Sequence, residues 1–124
     1  MCYNAAMDEG TFASQALITQ MRKGAVEYCI LALLARQERY GYELAQALSS
    51  VDGMLVSEGT VYPILGRLKR DGLVLTEWRE SRVGPPRKYY RLTASGSAAL
   101  RAFESEWRVF ANAVETFLDE GESP

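Results

Sequence analysis

The chain has 124 residues, 48% hydrophobic and 24% charged, which fits one compact folded domain with room for an extra helix used in assembly. Histidine is absent, which removes the commonest general base and the commonest transition-metal ligand. The longest apolar run, within residues 25–35, is interrupted by Glu27 and is far shorter than the roughly 20 residues that cross a bilayer, so no membrane partner is expected.

In chain order, the first ten residues carry no readable pattern. They lack a basic n-region and an apolar h-region, so secretion has no support and the expected location is the cytoplasm. Cys2 and Cys29 are too few for a disulfide framework, and Cys29 falls inside an apolar helical pattern, so both read as structural or incidental. Phe12, Leu17, Ile18 and Met21 suggest a short helix in an N-terminal extension, residues 1–19. A first main helix is expected over about residues 21–36, with Val26, Cys29, Ile30, Leu33 and Leu34 on one apolar face.

A second helix follows Gly41 and runs to about Ser50, with Leu44, Ala45 and Leu48 on one side, until Asp52-Gly53 ends the regularity. The third lies between Ser57 and Asp71, where Val61, Ile64, Leu65 and Leu68 repeat the one-face spacing and Gly72 terminates the element. Pro63 leaves its start open: Ser57 as cap implies a kink, whereas Thr60 as cap does not. Residues 73–79 and 87–92 read as a hairpin whose tip, residues 81–86, contains Gly84-Pro85-Pro86. Thr93 then caps a final helix to about Leu118, with Leu100, Phe103, Trp107, Phe110, Val114 and Phe117 spaced as an a/d seam.

The formal net charge of −2 hides a segregation. Residues 67–91 carry Arg67, Lys69, Arg70, Arg79, Arg82, Arg87, Lys88 and Arg91 against Asp71, Glu77 and Glu80, while from Glu104 onward acidic residues face Arg108 alone. Helix, helix, turn, helix and a basic hairpin is the order of a winged helix-turn-helix. The expected fold is therefore mainly α with a small β-hairpin (α+β), a winged helix-turn-helix over residues 20–93 plus a long C-terminal dimerisation helix and acidic tail over 94–124.

Such a fold places its third helix in the major groove of double-stranded DNA and its wing on an adjacent backbone or minor groove. Ser57, Thr60 and Tyr62 offer hydroxyls at the helix start, and Arg67, Lys69 and Arg70 extend a positive face. Glu58 either accepts from a cytosine amino group or complements the helix dipole. The wing adds Arg82, Arg87 and Lys88 around a proline pair that limits the entropy lost on binding. Tyr89 and Tyr90 are expected to divide between core and surface, since successive strand residues face opposite sides. Gly41 is expected to make the turn into the second helix, with Tyr40 packed inward and Tyr42 reaching a phosphate.

These residues also carry a resemblance. Arg22-Lys23-Gly24, Tyr40-Gly-Tyr-Glu-Leu44, Ser57-Glu-Gly-Thr-Val-Tyr-Pro63 and Gly84-Pro-Pro-Arg-Lys-Tyr-Tyr-Arg-Leu-Thr93 occur in the order in which the PadR family of bacterial regulators carries similar motifs. The resemblance implies a winged-helix homodimer, usually a repressor, that binds an inverted-repeat operator and often releases it on sensing a small molecule. By position it implies DNA contacts from Tyr42, Ser57, Thr60, Tyr62, Arg87 and Lys88. Gly66 departs from it, standing where the family often has a larger polar or basic side chain.

The final helix, Leu100 to Phe117, presents more apolar surface than so small a core covers, so a second copy is its expected partner. Smaller members of the family bind planar drugs between interface tryptophans, which makes Trp107 the candidate effector-binding residue and a small aromatic or phenolic compound the candidate effector. Plain interface packing by Trp107 is the alternative. A winged helix for protein or RNA binding is the second functional reading, and the basic island argues against it. No nucleophile and base pair, metal spacing or phosphate-binding glycine loop is present, so neither an enzyme, a metal nor a cofactor is expected.

Overall fold

The computed structural model describes residues 24–54 and 56–120. Among them the elements are α1 (Val26–Arg36), β1 (Arg39–Tyr40), α2 (Gly41–Ser49), α3 (Glu58–Arg70), β2 (Val74–Arg79), β3 (Arg87–Leu92) and α4 (Ala94–Glu120). The expected short helix around Phe12 to Met21, the Arg22-Lys23 pair and Cys2 lie outside the described residues.

Helix α1 begins at Val26, later than the apolar periodicity suggests, because Gly24 holds a positive φ of 85° that a helix does not accommodate. Its buried stripe of Val26, Ile30, Leu31 and Leu34 forms the centre of the core, with Leu44 and Leu48 of α2 and Val61, Leu65 and Leu68 of α3 against it. Burying each of these side chains contributes about 1.5–3 kcal/mol, so three anchors fix α3 on one side and leave its other side outward. Ser49 ties the α2–α3 turn, its hydroxyl lying 2.8 Å from the Ala45 carbonyl and 3.2 Å from that of Val56.

Ser57 is the residue that precedes α3, and the helix continues through Pro63. The end of α3 is closed by backbone geometry. Gly72, at φ 76°, donates to the Lys69 carbonyl at 3.0 Å and Leu73 donates to that of Leu68 at 3.0 Å, the reciprocal pair of a left-handed helix cap.

The sheet has three antiparallel strands in the order β1-β3-β2, one more than the expected hairpin. Arg39 pairs with Tyr90 and Tyr40 with Tyr89. A strand of two residues shows no alternation, so periodicity could not reveal it. In β2 and β3, Val74 faces Leu92, Thr76 faces Tyr90 and Trp78 faces Lys88 on one side, while Leu75 and Arg91, Glu77 and Tyr89, and Arg79 and Arg87 share the other. Val74 and Tyr90 are buried, so the first side is the core side.

Thr93 caps α4 as expected: its hydroxyl accepts from the Gly96 N–H at 2.9 Å and donates to the Gly72 carbonyl at 2.8 Å. The first turn of α4 thereby lies so close to Leu73 that a Cβ on Gly96 would sit 2.1 Å from the Leu73 carbonyl oxygen. Gly96→Ala is therefore expected to destabilise the fold by about 1–3 kcal/mol, since backbone must move to admit the methyl group. On Gly66 the added Cβ meets only the Arg70 guanidinium at 3.8 Å. Gly66→Ala should stabilise by about 0.5–1 kcal/mol, and urea midpoints that fall for the first variant and rise for the second check both assignments.

Candidate nucleic-acid interface

On α3, Tyr62 lies where the start of α2 and the Tyr90 level of β3 come close. The Tyr62 ring lies against Gly41 at the start of α2, where a Cβ would stand 2.4 Å from ring carbon Cε1. Gly41 is not among the residues with positive φ, so its role is to make room for this ring and not to form the turn expected of it. Tyr62 remains 45% exposed. Burial raises its phenol pKa, with the nearby Glu58 carboxylate adding to the shift. Burial likewise raises that of Tyr90, and the neighbouring Tyr62 adds to it. The start of α2, α3 and β3 are thus packed close together at Tyr62.

Tyr40 donates its backbone N–H to Glu43 at 3.2 Å, which closes the first turn of α2. Its ring is half-buried and meets Tyr89 edge-on at 5.4 Å, while Tyr42 is 50% exposed. Tyr89 and Tyr90 divide between the two faces as expected, Tyr90 in the core and Tyr89 on the outer side.

At the mouth of α3, Ser57 makes no side-chain cap bond, and its hydroxyl lies 3.4 Å from that of Thr60. Both residues are exposed, so two hydroxyls and the positive end of the helix dipole face solvent together. The basic side chains divide into two groups. Arg67 is ion-paired with Glu27 of α1, so it braces α3 against the core. Arg79 is held by Glu38 and, at 3.0 Å, by Glu77, and its guanidinium lies 4.5 Å from the Tyr89 ring centre. Arg87 lies 4.4 Å over the Tyr40 ring.

Among the described residues Lys69, Arg70, Arg82 and Lys88 make no ion pair. Lys69, Arg70 and Arg82 are exposed. Lys88 and Arg87 are adjacent in sequence and therefore point to opposite faces of the wing. The hairpin tip is shaped by Gly84, at φ 100°, and by the Ser81 hydroxyl, which donates to the Val83 carbonyl at 3.0 Å.

The expected seam on α4 grades from the core outward. Leu100 and Phe103 are half-buried, Tyr28 of α1 stacks on Phe103 at 4.3 Å, and Phe103 stacks on Trp107 at 5.7 Å. Trp107, Phe110, Val114 and Phe117 are exposed, at 62% for Phe110 and 74% for Phe117. Tyr28, Phe103, Trp107, Phe110, Val114 and Leu118 line a groove of about 760 Å³. Cys29, on α1, has its thiol pKa raised by burial, which disfavours the reactive thiolate. No group of residues that could hold a metal ion occurs among the described residues.

Comparison with known proteins places this geometry. The sequence pattern of the transcriptional regulator PadR-like family matches residues 30–102, more than half of the chain. The transcriptional regulator Rv3488 of Mycobacterium tuberculosis is 43% identical over 81 residues, covering 65% of this chain and 74% of that protein. A PadR family transcriptional regulator from Eggerthella lenta superposes with a TM-score of 0.78 at 34% identity, covering 91% of this chain and 97% of its own. A PadR-like transcriptional regulator from Bacillus cereus gives 0.72 at 38% identity, covering 80% and 96%.

The contact of Gly41 with Tyr62 has a testable consequence. A methyl group at residue 41 meets the far end of a half-exposed side chain, which can swing away, so Gly41→Ala is expected to fold and to displace the ring. Its affinity for duplex DNA should fall about as far as that of Tyr62→Ala, with a smaller loss of urea midpoint than Gly96→Ala. Equal duplex affinity for wild type and Gly41→Ala would show that the ring position does not matter for binding.

Proposed function

The chain belongs to the PadR-like family of transcriptional regulators, and from that premise we propose that it represses transcription as a homodimer seated on a pseudo-palindromic operator. It is a DNA-binding regulator of the winged-helix type and not an enzyme. The observation that carries the DNA-binding reading is the division of its cations. Lys69 and Arg70 on α3 and Arg82 and Lys88 on the wing remain without carboxylate partners among the described residues, and Ser57, Thr60 and Tyr62 add hydroxyls at the start of α3. Charge left unpaired on two adjoining elements fits a phosphate backbone.

In this reading α3 lies in the major groove, with Ser57, Thr60 and Tyr62 at its leading end and Tyr42 on a flanking phosphate. Arg67 acts through its pairing with Glu27, holding the helix at its angle, and Arg87 acts through Tyr40, holding the wing. The outer part of α4 supplies the dimer contact, since Phe110 and Phe117 are too exposed to contribute to the fold of one chain. A twofold pair would set the two α3 helices about 34–36 Å apart, one turn of DNA. The groove beside Trp107 is of a size and character that accept a small aromatic or phenolic effector, whose binding would alter the α1–α4 packing through the Tyr28–Phe103 stack.

The test is binding to fluorescent duplexes tiled across the promoter region upstream of the protein's own gene, over a salt series. One duplex should bind in preference to scrambled DNA, with a log–log salt slope near −7 if about eight phosphates are engaged. A double Phe110→Glu, Phe117→Glu variant should sediment as a folded monomer and lose operator affinity. Salt-sensitive binding without preference would leave DNA binding intact and place the operator elsewhere. Absence of binding to any duplex at low salt would favour a protein or RNA partner.

A further inference from the structure

The wing has two unlike faces, and the difference points to a residue that its basic character alone does not mark. On the outer face, Arg79 and Arg87 are engaged by Glu38, Glu77, Tyr89 and Tyr40. The core-side face runs from the buried Val74 and the half-buried Leu92, through Thr76 and the buried Tyr90, to Trp78 and Lys88. This last pair stands one strand repeat, about 7 Å, beyond the Tyr90 level, where the core has ended. Trp78 is 65% exposed, and the Lys88 ammonium lies 5.5 Å from its ring centre.

An indole placed in water beside a cation without a carboxylate partner, on the face that adjoins α3, contributes little to the fold. Packed on DNA the same pair is complementary to one nucleotide: the ammonium to the phosphate and the flat indole to the apolar edge of the deoxyribose. We infer that Trp78 is a DNA-contacting residue of the wing, seated against the sugar of the nucleotide whose phosphate Lys88 binds. The inference rests on the DNA-binding reading above and deepens it, adding an uncharged contact to a surface otherwise built of cations and hydroxyls. Because every nucleotide offers a sugar, the contact is independent of base sequence and can be measured without knowing the operator.

The experiment uses a labelled mixed-sequence duplex of about 30 base pairs at low salt, with the full chain. Trp78→Ala should weaken binding about tenfold and Trp78→Phe about threefold, in the range aromatic contacts to nucleic acid contribute. Neither should change the log–log salt slope, because no charge is removed, whereas Lys88→Ala should make it shallower by about 1 per protomer. As a measurement independent of variant stability, 5-fluorotryptophan labels both tryptophans, and Trp78→Phe assigns the Trp78 fluorine resonance. That resonance should shift when duplex is added. Wild-type affinity in Trp78→Ala, or an unmoved Trp78 resonance at saturating duplex, overturns the inference while leaving DNA binding in place. Failure of the wild type to bind the duplex overturns the functional reading, and this inference with it.

Discussion

Val61, Leu65 and Leu68 are each at most 1% exposed, and their burial against α1 and α2 leaves α3 a single way to lie. A helix pinned along one stripe cannot rotate without bringing Tyr62, Lys69 or Arg70 into an apolar core. From this follow the outward direction of the basic side, the position of Tyr62 over Gly41, and the seat of the wing, whose β3 carries Tyr90 into the same junction. The cap at Gly72 and the approach of Gly96 to Leu73 then set where α4 departs. One packing constraint thereby relates the nucleic-acid interface to the groove beside Trp107.

The charges follow a similar logic. A net charge of −2 is compatible with a polyanionic partner because three of the acidic residues around α3 and the wing are committed to named cations. Glu27 engages Arg67, and Glu38 and Glu77 engage Arg79. These exposed pairs contribute little stability, but they hold α3 and the wing in register with the core. Among the described residues Lys69, Arg70, Arg82 and Lys88 have no ion pair, against Glu58 at the start of α3 and Glu80 after β2, while Glu104, Glu106, Glu115, Asp119 and Glu120 lie along α4.

Much of this organisation was legible in the sequence where periodicity or cap chemistry carries it. The apolar stripes of α1 to α4, the Thr93 cap, the Gly72 terminator and the hairpin of β2 with β3 all follow from spacing and residue type. What was not legible depends on contacts distant in sequence. Gly41 reads as a turn glycine until Tyr62 is seen against it, and β1 is too short to alternate. Arg67 belongs by composition to the basic island, and its ion pair with Glu27, forty residues earlier, does not show in the spacing. The adjacent Arg87 and Lys88 look like a pair in sequence, yet the pleat separates them. The pairing of Trp78 with Lys88 and their exposure beyond the end of the core were visible only in three dimensions.

The central claim is that α3 and the wing form one surface that engages DNA as a unit. Amide hydrogen exchange of the full chain, measured with and without saturating duplex, addresses it most directly. Simultaneous protection of α3 and of the β2–β3 hairpin, beginning at the Ser57 end of the helix and extending through Trp78 and Lys88, is the expected result. Protection confined to α4, or to one of the two elements while the other exchanges unchanged, would contradict it.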